Sequence, residues 1–340
     1  MSGDVIVVGG GVIGLTTAVT LAERGRRVRV WARDAPGRTT SAVAGALWWP
    51  YRIEPAKRVG TWALESLRVY ERLAAAPEAT GVRLVAGVHA GTERGALGAW
   101  AGEVPGLRQL PSGGLAAVLP LIDMPVHLEW LAARLEAAGG VIETRTVRSL
   151  AEVPAPVVVN CAGLGARDLV PDGAVRPVRG QLVLVENPGV EEWFTAPDTP
   201  GSGSTYFFPQ PGRLVLGGTA EEDDWRTAPD AGTAAAIVAR CARVRPEIGR
   251  ARVLGHRVGL RPVRTGGVRL AAEPLPGGRL LVHNYGHGGA GVTVAWGCAG
   301  EVARALPPAS ASGPGGGPGP SDGPGPSDGP GPGGGRPGAD

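Results

Sequence analysis

The sequence predicts an α/β protein in which a parallel, doubly wound sheet is interleaved with a domain of antiparallel strands. Three observations predict it. A strand, a glycine turn and a helix open the chain, and a second such arrangement closes its folded part. Between them, segments alternating strand with helix give way twice to stretches that alternate apolar with polar residues.

The opening arrangement is Asp4-Val5-Ile6-Val7-Val8-Gly9-Gly10-Gly11-Val12-Ile13-Gly14-Leu15. An apolar run reads as a buried parallel strand. G-x-G-x-x-G follows, and Leu15, Ala18, Leu21 and Ala22 then continue a helix. Gly9 suits a tight turn, Gly11 lets the backbone meet a pyrophosphate, and Gly14 lets helix and strand pack closely. A second strand, Arg27 to Ala32, ends in Arg33-Asp34, where a Rossmann-like domain places an acid for a ribose. Taken alone, this turn also suits a nicotinamide dehydrogenase.

Next come a helix at about Val59–Ala76 and short strands within 53–126. An amphipathic helix follows at Leu128–Ala138, then the strand Val157–Asn160 and the turn Cys161-Ala162-Gly163-Leu164-Gly165. Period-two alternation predicts strands at Gln181–Glu186, Thr205–Pro209, Arg213–Gly218 and Val253–Leu260. The closing arrangement is Leu281 to Ala299, in which four glycines fall within the six residues 286–291 before a helix starts. Such a start offers free N–H donors and a partial positive charge to an anion or an electron-rich ring. Beyond Pro307, Gly, Pro, Ser and Asp dominate and Ser-Asp-Gly-Pro-Gly-Pro is repeated, so 307–340 is expected to be a disordered tail.

The 340 residues are long enough for a large core, and 43% hydrophobic against 19% charged residues suits a globular enzyme. The net charge of +3 rests on arginines, with Lys57 the lone lysine. No basic run is interleaved with aromatics, which argues against a nucleic-acid partner. Cys161, Cys241 and Cys298 lack metal-ligand spacing and are expected as buried thiols in a reducing, cytoplasmic setting. No apolar run reaches membrane-spanning length and no metal site is expected.

Together these segments resemble the D-amino-acid oxidase family of FAD enzymes, which includes D-aspartate oxidase. The resemblance rests on both glycine turns and on Thr39-Thr40-Ser41-Ala42-Val43-Ala44-Gly45-Ala46-Leu47-Trp48. It also rests on Val159-Asn160-Cys161-Ala162-Gly163, Pro177-Val178-Arg179-Gly180-Gln181 and Val258-Gly259-Leu260-Arg261-Pro262-Val263-Arg264. It implies a discontinuous FAD-binding domain (1–52, 127–182 and 262–306) and a substrate domain (53–126 and 183–261). FAD would meet Gly9, Gly11, Val12, Ile13 and Gly14 at its pyrophosphate and Arg33 and Asp34 at its adenosine ribose. Thr39, Thr40, Ser41, Gly45, Ala46 and Leu47 would line the phosphates and flavin. Gly288, Gly289, Gly291, Val292 and Thr293 would set a helix start at the flavin's pyrimidine edge. Gly163, Leu164, Arg261 and His287 complete the cofactor's surroundings, with His287 a neighbour rather than a proton shuttle.

For the substrate, the resemblance implies Arg261 as a bidentate partner of the α-carboxylate and Tyr206 as a second donor to it. Read without it, these are a strand-end arginine and a half-buried strand tyrosine. Gly289 would offer its carbonyl to the amino group, and Leu47, Trp49, Tyr51 and Phe208 would shape the side-chain pocket. Vertebrate members carry a lid tyrosine four residues before Tyr206, where this chain has Ser202, so access is expected to be more open. Trp49 and Phe208 are bulkier than many family residues there, which narrows the pocket.

The implied reaction takes a D-amino acid, with a neutral side chain favoured, and dioxygen to a 2-oxo acid, ammonia and hydrogen peroxide. The α-hydrogen leaves as hydride to flavin N5, and no side chain acts as acid or base. D-Aspartate oxidation, glycine or N-methyl amino acid oxidation, and a non-catalytic flavin sensor stay open. Arg52 would answer an acidic substrate side chain if it reached the pocket. A homodimer is one assembly open to the chain.

Overall fold

Val5–Val8, apolar on both faces and buried, sits inside a six-stranded sheet. The structure, a computed structural model, describes residues 5–50, 52–199, 203–307 and 333–334. The sheet order is Arg269–Leu275, Arg279–Tyr285, Val157–Asn160, Val5–Val8, Val28–Ala32, Val141–Thr144. All neighbours run parallel except the edge strand Arg269–Leu275, which returns antiparallel to Arg279–Tyr285. Parallel strands carry helical crossovers. Helix Val12–Ala22 packs against Gly291–Ala305 and Met124–Ala137, and Gly291–Ala305 packs in turn on Ala56–Leu73.

The second sheet has nine strands. Its path is Glu221–Glu222, Val175–Val185, Arg213–Gly217, Gly203–Gln210, Trp193–Thr199, Val82–His89, Leu115–Ile122, Arg108–Gln109, with Val253–Arg264 paired to Val175–Val185. Pairing is antiparallel apart from Val82–His89 beside Trp193–Thr199. This is the mixed α/β architecture that the sequence predicts.

Some elements differ from expectation in extent. The helix expected at Leu128 starts at Met124, because Pro125 is tolerated in a first helical turn, and the one expected at Val59 starts at Ala56, directly after Pro55. Strands Val175–Val185 and Val253–Arg264 run straight across the expected domain limits at 182/183 and 261/262, since each strand's pairing continues beyond them. Cys161, Cys241 and Cys298 are free and buried, as expected. Among the described residues no helix is long and apolar enough to cross a membrane, and no cluster of His, Cys, Asp or Glu is arranged for a metal ion. The expectations for the tail fall almost wholly outside the described residues.

Candidate active site

A single cleft of about 990 Å³ runs along the ends of the parallel strands and under the second sheet. Its first half is built by the opening turn. Gly9 has φ +121°, and a Cβ there would stand 2.3 Å from the Cys161 carbonyl oxygen, so no other residue fits. Gly14 is equally constrained, since its Cβ would lie 1.9 Å from the Gly9 carbonyl oxygen. Gly9, Gly11, Val12 and Ile13 line the cleft; Gly14 is not among the lining residues and allows the close packing of helix on strand. Helix Val12–Ala22 begins without a side-chain cap from Gly11 and without an acidic residue in its first turn. The Val12 N–H instead donates to Ser41 Oγ at 3.0 Å. That hydroxyl ties the Thr39-Thr40-Ser41 loop to the helix start, and all three of its residues line the cleft.

Arg33 and Asp34 line the far end, paired at 2.9 Å. Their neighbours in the cleft carry no sequence motif. Trp31 lines the same end with the Arg145 guanidinium 3.8 Å from its ring centroid, and Thr146, Val147 and Arg148 continue that wall. These residues follow the strand Val141–Thr144, which carries no glycine motif to announce them.

At the opposite end the closing turn is fastened to the second sheet. The Gly288 N–H donates to the Pro262 carbonyl at 2.9 Å, and Val263 forms a bridge with His287. Arg261, one residue before Pro262, lines the cleft and donates from Nη1 to the Thr219 carbonyl at 2.8 Å. Its guanidinium lies on Gly180, where a Cβ would come within 2.5 Å of Cζ and both terminal nitrogens. Tyr206 lies flat on Gly217, whose Cβ would reach its Cζ at 1.9 Å, and stacks on Phe208 with centroids 4.7 Å apart. Phe208 is pressed against Gly45, so the bulky side chain props Tyr206 as well as narrowing the cleft.

Leu47 and Trp49 come from a segment hydrogen-bonded to strand Leu115–Ile122. Ile122 N–H donates to the Ala46 carbonyl at 3.0 Å, and Trp48 N–H donates to the Pro120 carbonyl at 2.9 Å. Thr293 clamps Trp49, accepting from its N–H at 3.3 Å and donating to its carbonyl at 3.0 Å. Gly45, Ala46, Gly163, Leu164, His287, Gly288, Gly289, Gly291, Val292 and Thr293 also line the cleft. Tyr51 and Ser202 lie outside the described residues. Arg52 is exposed and does not line the cleft; its carbonyl lies beside Gly288.

The profile of the FAD dependent oxidoreductase family matches residues 4–305. The chain belongs to this family of FAD-dependent oxidoreductases. It is 65% identical over 308 residues to a D-amino-acid oxidase of Streptomyces coelicolor, covering 89% of this chain and 96% of that one. A D-amino-acid oxidase of Rubrobacter xylanophilus is 50% identical over 310 residues, with 88% and 94% covered. Among solved structures, glycine oxidase of Geobacillus kaustophilus superposes with TM-score 0.73 at 23% identity over 89% of this chain and 94% of its own, which speaks to the fold.

The FAD-dependent oxidoreductase has a site that fits its cofactor. A bare helix start and the glycine cradle suit a pyrophosphate. Two buried polar atoms on cleft-lining residues, Asn284 Oδ1 and His287 Nε2, find no partner among the described residues. Burial pushes the His287 imidazole down to about 3, so it is neutral across the physiological range. Cys161, also on the cleft wall, is pushed up to about 12 by burial and stays a thiol.

Proposed function

We propose that this oxidoreductase oxidises D-amino acids to 2-imino acids, which water converts to 2-oxo acids and ammonia. The observation that carries the reading is the Arg261 guanidinium, held on Gly180 and pointing along the same cleft as Tyr206 and the Gly288-Gly289 turn. A planar, permanently charged fork is suited to grip an α-carboxylate through two parallel hydrogen bonds. Tyr206 adds a hydroxyl to the carboxylate, and the Gly289 carbonyl accepts from the amine. With two substituents pinned, one enantiomer alone turns its α-hydrogen towards the cofactor face of the cleft. FAD, when bound, supplies the acceptor for that hydride and passes its electrons to dioxygen, giving hydrogen peroxide.

Gly9, Gly11, Val12 and Ile13 would hold the pyrophosphate, with Thr39, Thr40 and Ser41 beside it. Arg33, Asp34 and the Trp31–Arg145 wall would hold the adenosine. Gly163, Leu164, His287, Gly288, Gly291, Val292 and Thr293 would surround the flavin. The six-stranded sheet with its helices is read as the cofactor domain and the nine-stranded sheet as the substrate domain. Neutral His287 supports a site without a side-chain acid or base. The substrate must then arrive as the free amine, so activity rises towards alkaline pH.

The exposed position of Arg52 favours a neutral substrate side chain over the aspartate of a D-aspartate oxidase. Hydrogen peroxide release from the purified protein across panels of D- and L-amino acids tests the reading. Turnover confined to D-enantiomers is expected; release with L-enantiomers alone, or with none, overturns it.

A further inference from the structure

Trp49, His89 and Thr195 line the cleft together with Tyr206 and Phe208, and form one wall of it through their mutual contacts. His89 closes the strand Val82–His89 and is the register partner of Thr195 on the parallel strand beside it. Its Nδ1 lies 2.6 Å from Thr195 Oγ1 and its Nε2 lies 2.9 Å from Thr92 Oγ1. Its ring packs on Trp49 with centroids 4.8 Å apart and planes 35° apart, while Trp100 meets the same indole edge-on at 5.4 Å. Trp49 is therefore wedged between two rings.

Both nitrogens of the imidazole are occupied. A neutral ring donates from one nitrogen and accepts at the other, which matches two hydroxyl neighbours. Burial lowers the proton affinity of His89, in keeping with that neutral form. Thr195, whose Oγ1 is held by His89 Nδ1, lines the cleft beside Trp49. Apart from Arg261, the described charged residues that line the cleft are Arg33, Asp34, Arg38, Arg145, Arg148 and Asp168, none of them on the segments that carry Trp49, His89 and Thr195.

Resting on the D-amino-acid oxidase reading above, we propose that His89 is a specificity-determining residue. It fixes the Trp49 indole and the Thr195 hydroxyl as an uncharged wall that selects neutral side chains reaching beyond Cβ. An unbranched neutral chain gains the flat face of Trp49. A side-chain carboxylate or ammonium entering the same space loses its water and meets no counter-charge, which is costly.

The test compares kcat/KM of the flavin-loaded protein for D-methionine, D-alanine, D-aspartate and D-lysine. D-Alanine has no side chain beyond Cβ, so the ratio of D-methionine to D-alanine reads the contacts made beyond that atom. Wild type is expected to prefer D-methionine to both charged substrates. His89→Ala is expected to lower the ratio about tenfold, chiefly through KM for D-methionine, as loss of one pocket contact does. His89→Asn, which keeps a donor near Nδ1, is expected to recover part of it, and Thr195→Val, close in shape, is expected to shift it in the same sense. Flavin absorbance and melting temperature confirm that each variant is folded. An unchanged ratio in folded His89→Ala, or a wild-type preference for D-aspartate or D-lysine, overturns the proposal. A wild type that oxidises none of the four removes the parent reading and the wall with it, an outcome distinct from a D-oxidase with an unchanged ratio.

Discussion

The guanidinium of Arg261 rests on the bare backbone of Gly180, with no space between them for a side chain. Strand Val253–Arg264 pairs with Val175–Val185 so that Gly259 faces Gly180 and Arg261 faces Val178 across the ladder. Arginine crosses its neighbour strand diagonally, as long side chains do on a sheet face. The backbone of Gly180 has no positive φ, so alanine there is excluded by space and not by conformation. Gly180→Ala should displace the guanidinium and raise KM for a D-amino acid by about tenfold, roughly 1.4 kcal/mol. Steady-state kinetics check this, and flavin content should be unchanged.

Removing the anchor itself should cost more. Arg261→Ala should raise KM for D-methionine by about a hundredfold or more, because a hydrogen bond to a charged group contributes roughly 1.5–3 kcal/mol and a bidentate grip has two. Tyr206→Phe should show a milder loss, about one such bond. Both proteins should stay yellow. Near-normal kinetics in Arg261→Ala would take that residue out of the mechanism.

Ser41 makes a prediction about cofactor retention. Its Oγ receives the Val12 N–H, the role a capping side chain plays from within a helix. Ser41→Ala should lower flavin affinity and stability together, by roughly 0.5–2 kcal/mol as capping residues do. Titration of apoprotein with FAD, followed by flavin fluorescence, gives the dissociation constant directly.

Acid stability follows from buried histidines. His127 stacks on Trp130, with Nδ1 2.8 Å from the Thr80 carbonyl, and burial pushes it down to about 4; His287 is pushed down to about 3 by the same cause. Below the ordinary histidine value of about 6.5 the unfolded chain takes up protons that the folded chain refuses, so stability falls as pH drops. The loss should begin below about pH 6.5 and reach the order of several kcal/mol by about pH 4. Asp172 adds to it later. Burial alone would raise its carboxyl, but hydrogen bonds from Arg264, Tyr285 and the Ala174 N–H outweigh this and hold it at about 2. Its contribution is complete above the ordinary aspartate range and is lost as pH falls through about 2. Melting temperature against pH should slope steeply between about 6.5 and 4, and less steeply in His127→Asn.

The backbone of this fold was legible wherever a steric demand left its mark on residue type. Gly9 and Gly14 must lack side chains, and the strand feeding them, Val5–Val8, is apolar because it is buried on both faces. Strand Val157–Asn160 has its expected limits for the same reason. The site was legible in the same places and dark elsewhere. Trp31 and Arg145 meet across two neighbouring strands, and His89 meets Thr195 through a parallel pairing of residues far apart in the chain. Cross-strand partnership of this kind leaves no spacing to read. Gly180 stands within the Pro177–Gln181 motif, yet its purpose is visible only with Arg261 above it.

Strand Val253–Arg264 runs the length of its partner and ends stitched to the closing glycine turn through Pro262 and Val263. On the proposed reading, the carboxylate anchor would stand on this strand and the amine acceptor on a turn bonded directly to its end. Handedness of the substrate would then be stored in how two ribbons are aligned. A slip of a single residue would swing the anchor to the opposite face, so chirality could not drift gradually in such a scaffold; it would have to be rebuilt.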